Sequence, residues 1–280
     1  VQGTASTPTG ATLALNAVRI GLWDEYGGSS PSGWTRWIFE QFEFPYEVVY
    51  PQELDAGNLR ERFDVVVFVT DAIPESDSGG GGGFAIFGAG PDDESIPEEF
   101  QERLGSVTVA QTVPRLMEFM EEGGTVVAVG SSIALAKHAG LPLTDHMVDG
   151  DGVPLSEADY YVPGSVLRVR VDTTRPLAFG VPAEMDVFFS NSPVMRMGPA
   201  GVAAGVRPIA WFESETPLRS GWAWGQHRLN GGLAMTETKV GKGNLFLFGP
   251  EITMRGQPHG TFKFLFNGIF LAGATPRPGR

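Results

Sequence analysis

Cysteine is absent from the 280-residue chain. That single absence excludes a disulfide framework, a thiolate metal site and a cysteine nucleophile together. It does not separate cytosol from periplasm or exterior, since a cysteine-free chain is at home in each. Also missing is any apolar run of the roughly 18 to 20 residues that a membrane-spanning helix needs, and Val1–Asn16 lacks the basic-then-apolar pattern of a signal peptide. No membrane span is expected. Basic residues are in short supply, 20 Lys and Arg against 33 Asp and Glu, for a net charge of -13. A surface of that sign repels phosphates, so nucleic acid is not an expected partner.

What is present is enough apolar material, 42% of residues, to bury one large α/β core or one domain carrying a sizeable insertion. Val1 to Thr12 is rich in Thr, Ser, Gly and Ala and reads as a linker. The expected organisation is a linker from a preceding domain over 1–17, an α/β domain over 18–272 with a β-rich insertion at about 143–238, and a tail over 273–280.

Val18 to Trp23 reads as a first strand, followed by a Gly/Ser-rich turn. The positions Trp34, Trp37, Ile38 and Phe42 recur at helical spacing and are expected in the core. Tyr46 to Tyr50 gives a second strand, Asn58 to Arg62 a short helix or turn, and Asp64 to Val69 a third strand of the continuous apolar kind found in parallel sheets. Ser76 to Ser95 holds five consecutive glycines, Gly79–Gly83, without the Lys and Ser or Thr of a phosphate loop, and is read as a mobile surface loop. A helix over about Val109 to Glu122 leads to Gly123–Ala136, where an apolar strand runs into a small-residue elbow. Val166–Val171, Met185–Phe189, Arg207–Phe212 and Leu233–Thr238 read as antiparallel strands. Asn244–Phe248 and a helix over Thr261–Leu271 then resume the α/β pattern. The fold class is a three-layer, mostly parallel α/β sheet with an antiparallel β insertion.

Four stretches carry a resemblance: Ser32–Trp37, Phe188–Pro193, Ser220–Trp222 and Arg255–Lys263. Together they resemble the C-terminal region of bacterial zinc carboxypeptidases of the M14 peptidase family, over about Arg19 to Leu271. The resemblance implies a class I glutamine amidotransferase-like (flavodoxin-like) fold. It also implies a non-catalytic accessory role, an N-terminal peptidase domain of the same polypeptide as partner, peptide substrate, a secreted or periplasmic location, and zinc only in that missing domain. Consistent with an accessory part, the nearest approach to a His-x-x-Glu zinc pair is His146-Met147-Val148-Asp149, with the wrong acid and the wrong flanks. No metal site and no cofactor are expected within this chain. The amidotransferase equipment is missing too, because the elbow reads Gly130-Ser131-Ser132-Ile133-Ala134 where a cysteine would stand.

Two other readings remain open. A serine-dependent hydrolase would use Ser132 as nucleophile, His259 as base, Glu251 as orienting carboxylate and the N–H groups of Ile133 and Ala134 as oxyanion donors. A small-ligand or carbohydrate-binding module would use Arg255, Gln257 and His259 before the last helix, or Trp222 with Trp211, Phe212 and Trp224 as a stacking surface. His138 lies too far along the elbow helix from Ser132 to be its base, and is expected at a helix end. Asp24, Glu25 and Tyr26 follow the first strand at the sheet edge where open α/β folds bind ligands.

Overall fold

The computed structural model describes residues 12–77 and 96–277. The Gly79–Gly83 stretch lies outside them. In chain order the elements are β1 (Thr12–Ala14), β2 (Ile20–Trp23), α1 (Ser30–Gln41), β3 (Glu47–Val49), α2 (Pro51–Asp55), α3 (Leu59–Arg62), β4 (Val65–Phe68), α4 (Thr112–Glu121) and β5 (Thr125–Val129). Next come α5 (Leu135–His138), β6 (Leu143–Asp145), β7 (Pro163–Val171), β8 (Glu184–Ser190), β9 (Met195–Met197), α6 (Pro199–Ala203), β10 (Arg207–Trp211) and β11 (Leu218–Ser220). The chain closes with β12 (Leu233–Val240), β13 (Gly243–Phe248), α7 (Phe262–Ala272) and β14 (Thr275–Arg277).

One mixed sheet runs β11-β7-β10-β12-β13-β5-β4-β2-β3, with β8 on β7 and β9 bridging β12 and β6. The five strands β3, β2, β4, β5 and β13 are parallel. The rest of the sheet is antiparallel. Parallel strands covered on both faces need no polar alternation, and β4 and β5 are buried at every residue. In β7 and β8, by contrast, buried residues alternate with more exposed ones, the period of a sheet with one wet face. The expected three-layer α/β fold with an antiparallel insertion is the fold observed.

Helices flank the parallel half. α1 and α7 are joined by an aromatic seam in which Phe42 and Phe44 each lie 4.9 Å, ring to ring, from Phe266. That seam explains a departure from the helical reading. Ile38 is fully buried, whereas Trp37 and Phe42 are about half exposed, because α1 packs through its Ile38–Phe39 side and only its end meets α7. α4 packs against α2 and α3. Two close approaches set the start of β5: a Cβ on Gly243 would sit 1.9 Å from the Gly124 carbonyl, where β13 pairs, and one on Gly124 would sit 2.3 Å from the Phe119 ring of α4.

The segments read as linker and tail contribute β1 and β14, which pair antiparallel, Thr12 opposite Arg277 and Ala14 opposite Thr275. Asn16 Nδ2 adds a 2.7 Å bond to the Gly273 carbonyl. No described helix is long and apolar enough to cross a membrane.

Candidate functional site

The parallel strands are ordered β3-β2-β4-β5-β13, so the connection leaving β2 runs one way to β3 while the connection leaving its neighbour β4 runs the other way to β5. Connections diverging from adjacent strands leave a crevice beyond their carboxyl ends, the place where open α/β sheets bind ligands. A cleft of about 350 Å³ opens there, lined by Trp23 at the end of β2 and Glu25 just beyond it, Thr70 and Asp71 after β4, and Glu251 and Arg255 after β13.

The elbow after β5 builds one wall. Gly130 has φ of 61°, and a Cβ on it would collide with the Thr70 side chain at 2.2 Å, so glycine is required on both counts. The chain then enters a 3₁₀ turn over Gly130–Ala134 followed by the single turn α5, instead of the expected elbow helix. This geometry separates the two serines. Ser132 is fully buried, and its Oγ donates to the Val69 carbonyl while accepting from the Ala72 and Ile73 N–H groups at 3.1 Å each. It is a structural bracket for the loop after β4. Ser131 instead faces Asp71: its Oγ donates to Oδ1 at 2.8 Å and accepts the Asp71 N–H at 2.7 Å. Asp71 is held in the left-handed region at φ 64°, an arrangement that persists only where surrounding bonds enforce it.

The hydrolase triad does not assemble. The Ser132 hydroxyl is committed to backbone groups, and neither Glu251 nor His259 is among its partners. His259 is exposed and stacks on Phe262 at 5.2 Å. Glu251 and Arg255 do reach the cleft, whereas Gln257 and His259 are not part of its lining. His138 bonds the Pro74 carbonyl at 2.8 Å, and His146 bonds the Arg228 carbonyl. Among the described residues no group of His, Asp and Glu is arranged to hold a metal ion.

The aromatic surface is partly assembled: Trp222 and Trp224 are about half exposed and both adjoin Tyr161, whereas Phe212 is not part of it. Phe212 is buried against Phe189, Trp224 donates its indole N–H to the Ala158 carbonyl at 2.6 Å, and Trp222 sits edge-on to Tyr161.

Electrostatics single out the cleft. Burial, then the charge of Asp71, pushes the Glu251 carboxyl above its ordinary range. Burial, then Asp24 and Asp71, does the same to Glu25. Asp24 itself is 2% exposed and belongs to the scaffold: its Oδ1 accepts the Glu25 and Ser29 N–H groups at 2.9 and 2.7 Å, and Arg36 approaches its Oδ2 at 3.5 Å. Trp23, 4% exposed, is one of the residues lining the cleft, and its buried indole N–H has no acceptor among the described residues. Such a donor costs on the order of 1–3 kcal/mol when left unmet. Sequence reasoning placed Glu25 at this edge but missed Trp23, Thr70 and Asp71. The available signal was an acid one to three residues beyond three separate parallel strands.

No protein-family model matches the chain, and no curated protein sequence matches it. Solved structures do. A protein of Thermoplasma acidophilum described as part of a GMP synthase superposes with a TM-score of 0.51 at 11% identity, covering 92% of this chain and 94% of that one. A ThuA-like protein of Bacteroides uniformis gives 0.49 at 10% identity over 95% and 94%. A Salmonella typhimurium protein gives 0.48 at 10% identity over 92% and 99%. The first of these overturns the resemblance to the M14 carboxypeptidase region. The fold that the chain matches there is that of a protein described as a GMP synthase subunit, and nothing in it supports an accessory carboxypeptidase domain or a peptidase domain as partner. At such identities the likeness establishes the fold: a mixed α/β sheet with a parallel centre and flanking helices, of the glutamine amidotransferase-like kind.

Proposed function

We propose that the cleft at the carboxyl edge of the parallel strands binds a small, uncharged, hydroxyl-rich molecule. The observation that carries this reading is the unmet, buried N–H of Trp23, a lining residue of a cleft that also holds Glu25, Asp71 and Glu251. A bare cation would satisfy the carboxylates but leave the indole N–H without an acceptor. A bare anion would satisfy Trp23 and Arg255 but be repelled by three acids. A hydroxyl both donates and accepts, so a molecule with several of them answers both sets of groups. The raised carboxyl of Glu251 adds capacity for proton exchange with the bound molecule, the property that general acid–base groups require.

Titration calorimetry with glucose, myo-inositol and glycerol, set against putrescine and inorganic phosphate, tests the reading. At least one polyol is expected to bind at a single site, with Glu25→Gln and Trp23→Phe each weakening it about tenfold, one strong hydrogen bond's worth. Binding of putrescine or phosphate with no polyol bound, or polyol binding indifferent to both substitutions, would overturn it.

A further inference from the structure

A cavity of about 580 Å³ lies at the opposite edge of the sheet from the carboxyl-edge cleft. It sits where the β12–β13 hairpin, the start of β10 and the end of α7 converge, and the β1–β14 pair closes it on one side. Its size falls in the range of small-molecule sites, roughly 300–1,000 Å³.

The lining combines two characters. Leu13, Phe246, Leu271 and Pro276 supply an apolar wall. Arg175, Arg207 and Lys239 bring three cations against one acid, Glu237. Glu237 is occupied: its Oε1 accepts Arg175 Nε at 2.8 Å and also Arg175 Nη2. Arg207 stands directly opposite Glu237 on the neighbouring strand, yet neither it nor Lys239 forms an ion pair among the described residues. The cavity therefore keeps about two uncompensated positive charges in a chain whose net charge is -13. In a strongly acidic protein, cations without partners beside apolar surface are what an anion with an apolar body selects.

We infer that this cavity binds an amphipathic anion, an apolar chain or ring carrying a carboxylate. The apolar body lies against Leu13, Phe246 and Leu271, and the carboxylate meets Arg207 and Lys239. A guanidinium offers a carboxylate paired donors in a plane, which favours that head group over an uncharged amide of the same shape. The inference stands apart from the carboxyl-edge reading, because the two sites share no lining residue.

The test is calorimetric titration of the full chain with octanoate, octanamide and inorganic phosphate. Octanoate is expected to bind saturably at one site, octanamide at least tenfold more weakly. The double substitution Arg207→Gln/Lys239→Gln, at two exposed side chains whose loss leaves the core intact, is expected to weaken octanoate at least tenfold and leave octanamide unchanged. Leu13→Asp is expected to weaken both ligands. Octanoate that binds no better than octanamide, that is indifferent to the double substitution, or that fails to saturate would overturn the inference. So would inorganic phosphate binding as well as octanoate, which would reduce the cavity to a bare anion site.

Discussion

Two carboxylates at opposite edges of the same sheet show how differently one fold treats the same chemical group. Asp64, just before β4, accepts the Arg19 backbone N–H at 2.8 Å, Arg19 Nε at 3.1 Å, Arg19 Nη2 at 3.0 Å and Arg60 Nη1 at 2.5 Å. Burial alone would raise its carboxyl, but these donors outweigh it and hold it at about 2. Glu251, beyond the carboxyl end of β13, is half-buried and faces the charge of Asp71 instead of a cation, so its carboxyl is pushed up. The difference teaches where this fold has closed its accounts and where it has left them open. Asp64 at the amino edge has its donors within the fold, whereas at the carboxyl edge burial and like charge act together on Glu251 and Glu25.

The largest effect expected from breaking this contrast comes from the scaffold beneath the cleft. Ser132→Ala removes one acceptor for two buried N–H groups and one donor to a buried carbonyl, so a loss of about 2–3 kcal/mol is expected. Urea denaturation checks it, and ligand binding in the cleft should weaken as the Asp71 loop loosens. A Ser132→Ala protein of unchanged stability would show that the hydroxyl is not the bracket described.

Asp64→Asn tests the satisfied edge. The folded carboxyl lies below the ordinary value of 3.8, so its contribution is present above that pH and is lost as pH falls toward about 2. Screening at the partly exposed arginines reduces the expected loss to about 1–2 kcal/mol at pH 7. Denaturation curves of the two proteins should converge on acidification. A gap that stays constant from pH 7 to pH 3 would remove the charge-based explanation.

How far the molecule was legible follows the same division. Strands buried on both faces announce themselves as continuous apolar runs, and Val65–Phe68, Thr125–Val129 and Gly243–Phe248 all fell within or beside such runs. Short strands such as β6, β9 and β11, three residues each, have no period to detect, and the β1–β14 pairing depends on residues more than 250 positions apart. At the site, Glu251 and Arg255 are visible as charged residues after the last strand, Arg255 as a ligand-binding candidate and Glu251 as the carboxylate of a triad. Ser132 drew attention because an elbow into an α-helix lifts a side chain clear of the sheet. The 3₁₀ turn actually formed directs Ser132 inward and leaves Ser131 to Asp71. Asp71 itself owes its position to a left-handed turn and to a serine 60 residues away, neither of which local sequence encodes.

The smallest expected effect is also the one that most sharpens the comparison, because its sign is opposite. With Glu251 raised above its ordinary value of 4.5, the folded protein holds that proton more tightly than the unfolded chain does. The contribution is therefore stabilising below the unfolded value and disappears as pH rises through the folded one, leaving a charged carboxylate that is costly at neutral pH. Glu251→Gln keeps the shape and removes the charge, so stability should rise by about 0.5–1 kcal/mol at pH 7 and be unchanged near pH 4. Thermal unfolding at the two pH values reads the difference directly. A Glu251→Gln protein that is less stable at pH 7, as Asp64→Asn is expected to be, would mean that Glu251 already has its partners, as Asp64 does. A gain at pH 7 that shrinks when a polyol fills the cleft would tie the stored cost to binding, because the ligand would then supply the donors that the bare fold withholds from Glu251.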